Sequence, residues 1–269
     1  MTPTFTLAPQ PVTALPARSG TVVQLVPAAA TNPAILVVGG CGGAGATTTA
    51  LGLAAAMVAA HAPSVAVDAT PAGGDLGLRG ADHRLAPAPL QTWLTAAAGG
   101  TLASVDSTLS WTSAGAGLLW RDDGPLQQRT TYATAHQVLT RAGYTPVFDA
   151  GYPVSARQIR PLLHDHGIRI VITIPARIDA ANRMRSSLQW IDDNFGPELL
   201  AATTVVVSHQ GADTPNVATA LRAHLRDWIR DVAEIPYDRH LAHGLVITNA
   251  NLSHWTRGAY SRLLEGLWA

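Results

Sequence analysis

A glycine-rich segment between two apolar runs constrains the fold of this chain most strongly. Residues 34–38 (AILVV) form a continuous apolar run, which indicates a strand buried on both faces. Residues 39–49 (GGCGGAGATTT) follow, and residues 46–61 are rich in alanine and leucine, which predicts a helix. This order is typical of a phosphate-binding loop, because glycines allow positive φ and let backbone amides approach phosphate oxygens. The alternative is an ordinary glycine-rich turn between a strand and a helix.

The loop matches the pattern G-x-x-x-x-G-K-[ST] at every fixed position except the lysine. Ala46 stands there, and a methyl group cannot bridge terminal phosphates during phosphoryl transfer. The sequence contains no lysine at all, since all 18 basic residues are arginines. The predicted nucleotide-binding residues of the loop are Gly40, Cys41, Gly42, Gly43, Ala44, Gly45, Ala46, Thr47 and Thr48. Thr47 is also predicted to place its hydroxyl on Mg²⁺.

The loop resembles the deviant phosphate loop of the MinD/ParA group of ATPases, K-G-G-x-G-K-[ST]-[ST]. Residues 41–48 read CGGAGATT, so Cys41 replaces the lysine that reaches across a dimer to the partner's nucleotide. Ala46 replaces the second lysine, which is similar to the CpaE/TadZ branch of the group. That branch helps to position and assemble Tad-type pili and related secretion machines. The resemblance covers roughly residues 33–269 and implies a P-loop fold.

Two further segments resemble the magnesium-binding motifs of the same group. Residues 64–80 resemble a strand that ends in D-x-D, with Asp68 as the first aspartate and Thr70 in place of the water-orienting second one. Residues 145–153 (TPVFDAGYP) resemble a Walker B strand that ends at Asp149. The resemblance therefore predicts that Thr47, Asp68 and Asp149 hold Mg²⁺ when a nucleotide binds. The simpler alternative for Asp149 is a helix-capping role.

The wall expected to contact the base departs from the family in one place and agrees with it in another. Residues 205–209 (VVVSH) lack the asparagine that relatives place at the end of this strand. Residues 233–244 (AEIPYDRHLAHG) closely resemble the family's loop near the adenine. We therefore expect Pro236 to contact the nucleotide. The expected cofactor is ATP or ADP with Mg²⁺.

Strands and helices alternate along the chain, which predicts a three-layer α/β fold with a mostly parallel, twisted sheet flanked by helices. The predicted strands cover residues 34–38, 64–68, 117–120, 145–149, 168–174, 202–208 and 232–235. The predicted helices cover residues 46–61, 89–98, 125–142, 155–166, 178–194, 216–229 and 255–268. We predict two regions: a flexible N-terminal arm over 1–31, with a short edge strand over 21–26, and a P-loop NTPase-like domain over 32–269.

Composition restricts the partners and the compartment. The formal net charge is zero, which argues against a broad nucleic-acid-binding surface. One cysteine, no secretory signal and no apolar run long enough to span a bilayer indicate a cytoplasmic protein. The terminal helix carries aromatic and leucine residues, and we expect it to pack on the sheet rather than to bind a membrane. Ten histidines without cysteine or carboxylate groups at ligand spacing do not predict a metal site.

The function expected from these features is that of a MinD/ParA-like pseudo-ATPase with little or no hydrolysis. Such a protein would be a homodimer and a localisation or assembly scaffold for a cell-envelope, pilus or secretion machine, bound to protein partners at the inner face of the membrane. One alternative is an active ATPase that uses a substitute arginine or a partner's residue. Another is a DNA segregation factor that binds through Arg222, Arg226 and Arg230, which recur every four residues. In a fourth reading, the fold persists without nucleotide.

Overall fold

The computed structural model describes residues 34–102, 104–126, 131–165 and 167–269. The predicted arm over 1–31 and its edge strand over 21–26 lie outside these residues, as does the beginning of the predicted domain.

Eight strands of the described residues form one sheet, in the order β3-β4-β2-β5-β1-β6-β7-β8. They are β1 (Ile35–Gly39), β2 (Ser64–Asp68), β3 (Ser110–Trp111), β4 (Gly117–Leu119), β5 (Thr145–Gly151), β6 (Arg169–Pro175), β7 (Thr204–Ser208) and β8 (Asp231–Ile235). Every neighbouring pair is parallel except β3 and β4. Strand β1 therefore lies near the middle of the sheet, and the loop that follows it begins at the carboxyl edge.

Helices cover both faces of this sheet. They are α1 (Ala46–Ala59), α2 (Leu76–Gly80), α3 (Leu90–Ala98), α4 (Val105–Thr108), α5 (Tyr132–Arg141), α6 (Arg160–Leu163), α7 (Ile178–Phe195), α8 (Pro197–Ala201), α9 (Val217–Leu225), α10 (Arg239–Ala242) and α11 (His254–Trp268). Short 3₁₀ turns cover Arg157–Ile159 and Asn249–Asn251. The predicted three-layer α/β fold with a mostly parallel sheet is confirmed.

The apolar run of β1 is explained by burial on both faces. Leu36 and Val38 belong to one hydrophobic cluster, which includes residues of α3, α5, α7 and α9. Ile35 and Val37 belong to a second cluster, which includes residues of α1 and α11. A strand covered on both sides has no polar face, so alternation disappears from its sequence.

The terminal helix α11 packs against α1. Its Tyr260, Leu263, Leu264 and Leu267 are buried. A Cβ at Gly52 of α1 would lie 2.4 Å from the Tyr260 ring, so glycine is needed for this close approach. Most of the apolar face of α11 is thus used inside the fold. Within the described parts of the chain, we find no helix with the length and hydrophobicity that a bilayer crossing requires.

Three predicted helices differ in the structure. The helix predicted over 155–166 is only a 3₁₀ turn followed by α6, and α5 covers a part of the segment predicted over 125–142. The helix predicted over 216–229 ends at Leu225. A turn follows, in which the Trp228 and Ile229 amides donate to Leu225 O (2.9 and 3.1 Å), and the Arg230 amide donates to Thr203 O (2.9 Å). Arg226 and Arg230 therefore lie beyond the helix, and the predicted arginine face does not form.

Candidate functional site

A cavity of about 560 Å³ opens at the carboxyl edge of the sheet, beside the end of β1. Its lining includes the loop between β1 and α1, together with Gly151 at the end of β5 and Ser208 at the end of β7. Pro236, directly after β8, completes the opposite wall. Ligands of open α/β sheets bind at this edge, where loops from neighbouring strands diverge.

The predicted phosphate loop has the conformation that an anion cradle requires. Gly43 and Gly45 have φ values of +70° and +89°, which side chains rarely tolerate. Two hydrogen bonds hold the loop: Thr173 Oγ1 donates to Ala44 O (2.8 Å) and Gln210 Nε2 donates to Gly43 O (2.8 Å). The loop is thus tied both to β6 and to the opposite wall of the cavity.

The beginning of α1 supplies unpaired backbone donors to the cavity. The first amides of a helix have no partner within the helix, and the residue that caps α1 is Gly45, which has no side chain to accept from them. Ala46, Thr47 and Thr48 at this helix end all line the cavity. A negatively charged ligand would be stabilised there by the amides and by the helix dipole.

Most of the predicted loop residues meet in the cavity, and one does not. The lining contains Cys41, Gly42, Gly43, Ala44, Gly45, Ala46, Thr47 and Thr48, as well as Pro236. Gly40 lies outside the lining, since a Cβ there would lie 2.6 Å from Ile174 Cγ2 and 3.2 Å from Met184 Cβ. Gly40 is therefore a packing position between the loop and the β6–α7 layer.

Asp68 and Asp149 are partners in the register of β2 and β5, and both are fully buried. Asp68 Oδ1 accepts from Thr70 N (3.1 Å) and Thr70 Oγ1 (2.6 Å), and its Oδ2 accepts from Gly74 N (3.1 Å). Burial raises the pKa of Asp68, while these hydrogen bonds and the nearby Arg121 oppose the rise. Both of its oxygens are engaged in holding the loop after β2.

Asp149 has fewer partners. Its Oδ1 accepts from Gly151 N (3.2 Å), but its Oδ2 is buried without a hydrogen-bond partner among the described residues. Burial raises the pKa of Asp149 to about 7, and the Thr47 hydroxyl beside it opposes the rise. Neither carboxylate belongs to the cavity lining, whereas Thr47 does. Asp149 can therefore act on a ligand in the cavity through Thr47 or through water.

The cavity offers donors for phosphate and a ligand for Mg²⁺, but it lacks a positive charge at position 46. The loop and the start of α1 supply donors for phosphate oxygens, and Thr47 offers a hydroxyl ligand for a hard cation. Asp149 lies outside the lining, so its Oδ2, which has no partner among the described residues, can support such a cation only through Thr47 or water. Asp68 is less suited to that role, because its oxygens already accept three hydrogen bonds. Position 46 offers only a methyl group to the cavity.

Several lining residues were not predicted from the sequence. Tyr152 follows β5, Gln210 follows β7 and Tyr237 follows β8, so all three lie near strand ends at the carboxyl edge. That position is the signal that would have found them. Arg79, on the short helix α2, also lines the cavity, but its segment shows no clear periodicity.

Other polar side chains in and near the cavity have hydrogen-bond partners within the chain. His209 contacts Thr214 Oγ1 (2.5 Å) and Glu234 Oε2 (3.1 Å), and Glu234 Oε1 accepts from Arg222 (2.8 Å). His240 Nε2 accepts from Thr248 N (3.1 Å). In the part of the chain that the structure describes, no three histidine, cysteine or acidic side chains group as metal ligands would.

No family model matches the sequence, and no curated protein is similar to it. Solved structures do match. The cell division ATPase MinD of Pyrococcus furiosus is 17% identical with a TM-score of 0.64, over 88% of this chain and 98% of that one. MinD of Pyrococcus horikoshii, solved with Mg-ADP, is 16% identical with a TM-score of 0.62, over 86% and 94%.

A third similar structure is the ParA family ATPase of Chlorobium tepidum TLS. It is 15% identical with a TM-score of 0.59, over 88% of this chain and 96% of that one. Since sequence identities at this level establish architecture rather than activity, what the three structures show is that this chain has the P-loop fold of the MinD and ParA ATPases.

Proposed function

We propose that this chain is a MinD/ParA-like nucleotide-binding protein with little or no ATP hydrolysis. The observation that carries the proposal is the cavity of about 560 Å³ at the end of β1, which keeps the loop and helix donors of a phosphate site and has Ala46 in the lysine position. Backbone amides supply much of a phosphate cradle, so binding does not depend on the lysine alone. Phosphoryl transfer does depend on positioned positive charge.

The site would bind ADP or ATP with Mg²⁺ near Thr47. The Mg-ADP complex of the Pyrococcus horikoshii MinD supports this ligand class, because that protein has the same fold. When bound, the cation would neutralise phosphate charge. The chain's own contribution is to orient the phosphates with the loop, to hold the cation through Thr47 and Asp149, and to bound the nucleotide with Pro236 and Tyr237.

The cellular role in this proposal is that of a scaffold. A protein that binds nucleotide without turnover acts by which partners it holds, and we propose a homodimer that localises or assembles a cell-envelope, pilus or secretion machine. The likeness of the loop to the CpaE/TadZ branch supports this role. Cytoplasmic localisation, with protein partners at the inner face of the membrane, belongs to the same proposal.

A calorimetric titration with ADP·Mg²⁺ and ATP·Mg²⁺ tests the binding part of this proposal. We expect saturable binding in the wild type and at least tenfold weaker binding in Gly45→Ala, since a side chain strains the backbone at φ +89°. Gly266→Ala is the matched control, because a Cβ there meets nothing within 4 Å. If the wild type binds neither nucleotide, the proposal is wrong and only the fold is retained.

Turnover separates this proposal from the active ATPase. We expect phosphate release by the wild type to equal the rate without protein. Release well above that rate, lost in Asp149→Ala, would show an active enzyme. Stimulation by a partner protein or by vesicles would show that a catalytic group is supplied from outside the chain.

The DNA segregation alternative receives less support from the structure. Arg222 is bound to Glu234, and Arg226 and Arg230 lie beyond the end of α9. Salt-dependent DNA binding that is lost when all three arginines are neutralised would support the DNA segregation alternative.

A further inference from the structure

Arg79 is the permanently charged cation of the cavity wall. The described lining contains the acidic residues Asp75 and Asp238 and the histidine His209, and Arg79 is its one arginine. His209 is already engaged with Thr214 and Glu234. Asp238 accepts hydrogen bonds from His240 N and Ser253 N and is thereby also engaged.

The guanidinium of Arg79 is poorly satisfied for a group so little exposed. Its side chain is 18% exposed. Its Nη2 lies 3.5 Å from Thr48 Oγ1, its Nη1 lies 3.8 Å from Asp75 Oδ2, and its Nε is buried with no partner among the residues that the structure describes. A guanidinium has five donors in a fixed fork, and leaving them unpaired away from water is costly. An anion in the cavity would remove this cost.

Two other arginines of the described chain, the buried Arg121 and the exposed Arg222, make closer contacts. Arg121, which is 7% exposed, also has a buried Nε without a partner among the described residues, but its two terminal nitrogens donate to Thr70 O and Gly124 O. The guanidinium of Arg222 donates to Val232 O (2.9 Å) and Glu234 Oε1 (2.8 Å). Arg79 differs from both because its two contacts are long and its surroundings include an open cavity.

We propose that Arg79 binds the phosphate groups of the nucleotide, in place of the lysine absent from position 46. This inference rests on the proposed function, since it needs a nucleotide in the cavity. Arginine suits phosphate because its planar fork donates two hydrogen bonds at once. It is also available in a chain without lysine.

The position of Arg79 favours binding over hydrolysis. Its guanidinium reaches α1 beside Thr48, and residues two apart on a helix lie on different faces. The charge therefore approaches the phosphates from a different side than a side chain at position 46 would. A cation there holds the nucleotide but does not occupy the place from which a loop lysine acts on phosphoryl transfer.

Calorimetry with ADP·Mg²⁺ and with adenosine tests this role. We expect Arg79→Gln to weaken ADP binding on the order of tenfold to a hundredfold, as for the loss of charged hydrogen bonds. Adenosine affinity should not change, because adenosine has no phosphate. Arg226→Gln is the matched control, since Arg226 is 76% exposed. We also expect Ala46→Lys to restore part of the ADP affinity of Arg79→Gln.

A second variant leaves Arg79 in place. Asp75 is about half exposed, makes no capping hydrogen bond to α2 and shares Arg79 with the cavity. Asp75→Asn should therefore raise ADP affinity several-fold, because it frees Arg79 and removes a negative charge from the wall. Adenosine affinity should again be unchanged. This variant keeps the test open if Arg79→Gln does not fold.

The outcomes separate the two proposals. Wild-type ADP affinity in Arg79→Gln, an equal loss for ADP and adenosine, or no gain in Asp75→Asn would each overturn the role of Arg79 while nucleotide binding stands. If the wild type does not bind ADP at all, both the proposed function and the role of Arg79 are wrong.

Discussion

Strands β2 and β5 are neighbours in the sheet, and each carries an aspartate at or near its carboxyl end. The two aspartates differ in the number of hydrogen bonds that they accept. Asp68 and Asp149 face each other in the register, and both are fully buried. Three donors surround Asp68, whereas Asp149 accepts from Gly151 and leaves one oxygen unpaired. A buried carboxylate is expensive unless donors surround it. Asp68 is thus held by hydrogen bonds within the chain, whereas Asp149 has an oxygen without a partner among the described residues, to which our proposal gives a part in holding Mg²⁺.

Removal of the Asp68 carboxylate should have the largest effect on stability. Asp68→Ala leaves the amides of Thr70 and Gly74 without their acceptor, so we expect a loss of about 2–4 kcal/mol in the free energy of unfolding at pH 7. Urea denaturation measures this loss. Asp227→Ala, at an exposed carboxylate, is the control and should change stability by less than about 0.5 kcal/mol.

Without ligand, Asp149→Asn should instead increase the free energy of unfolding. Since burial raises the pKa of Asp149 to about 7, the folded chain holds a proton that the unfolded chain releases above about pH 4. The contribution of Asp149 to stability is complete below pH 4 and is lost as the pH rises through 7. Asparagine cannot ionise, so the variant does not lose stability in this way. We expect the variant to gain on the order of 3 kcal/mol over the wild type between pH 4.5 and pH 8.

Thermal melts of both proteins across this pH range measure that difference, in buffers without Mg²⁺ or nucleotide. Asp227→Asn should follow the wild type at every pH, because its carboxylate is exposed. A constant offset between Asp149→Asn and the wild type would contradict the raised pKa of Asp149. It would mean that the β5 end is as well satisfied as the β2 end.

The same variant should lose the effect of Mg²⁺ on nucleotide binding. We expect Mg²⁺ to strengthen ADP binding by the wild type on the order of tenfold at pH 8 and to have no effect on Asp149→Asn, because Thr47 alone is a weak ligand set. Calorimetry with and without Mg²⁺ gives both values. If the Mg²⁺ effect is unchanged in Asp149→Asn but is lost in a folded Asp68→Asn, then Asp68 rather than Asp149 acts on the cation.

The sequence predicts the end of β2 at Asp68 and places the end of β5 at Asp149, two residues before its observed end at Gly151. It does not predict how the two aspartates differ. The apolar runs that end at Asp68 and Asp149 are local patterns, and so is the glycine-rich loop, so strand β2 is predicted with its observed bounds and β1 within one residue. Which oxygen remains unpaired depends on where Gly74 and Gly151 place their amides. That is set by loop conformation, which residue types alone do not determine.

The sequence also does not predict that Arg79 lines the cavity. Arg79 lies in a segment without clear periodicity, and α2 around it is only five residues long. Its place in the cavity depends on how α2 meets the beginning of α1, which is a tertiary contact. By contrast, Tyr152, Gln210 and Tyr237 could have been inferred, because each lies within three residues of the carboxyl end of a predicted parallel strand.

The smallest expected effect belongs to Thr70, the residue in the place of the family's water-orienting aspartate. Its hydroxyl donates to Asp68 Oδ1 (2.6 Å), so the structure gives it a part in the β2 end. We expect Thr70→Val, which keeps the side-chain shape, to lose about 1 kcal/mol of stability in urea denaturation, and Thr70→Ser to lose less. Neither should change the Mg²⁺ effect on ADP binding, because the Thr70 hydroxyl donates to Asp68 rather than to Asp149. A weaker Mg²⁺ effect in Thr70→Val alone would show that the β2 end also acts on the ligand, and that the division between a structural and a ligand-binding carboxylate is incomplete.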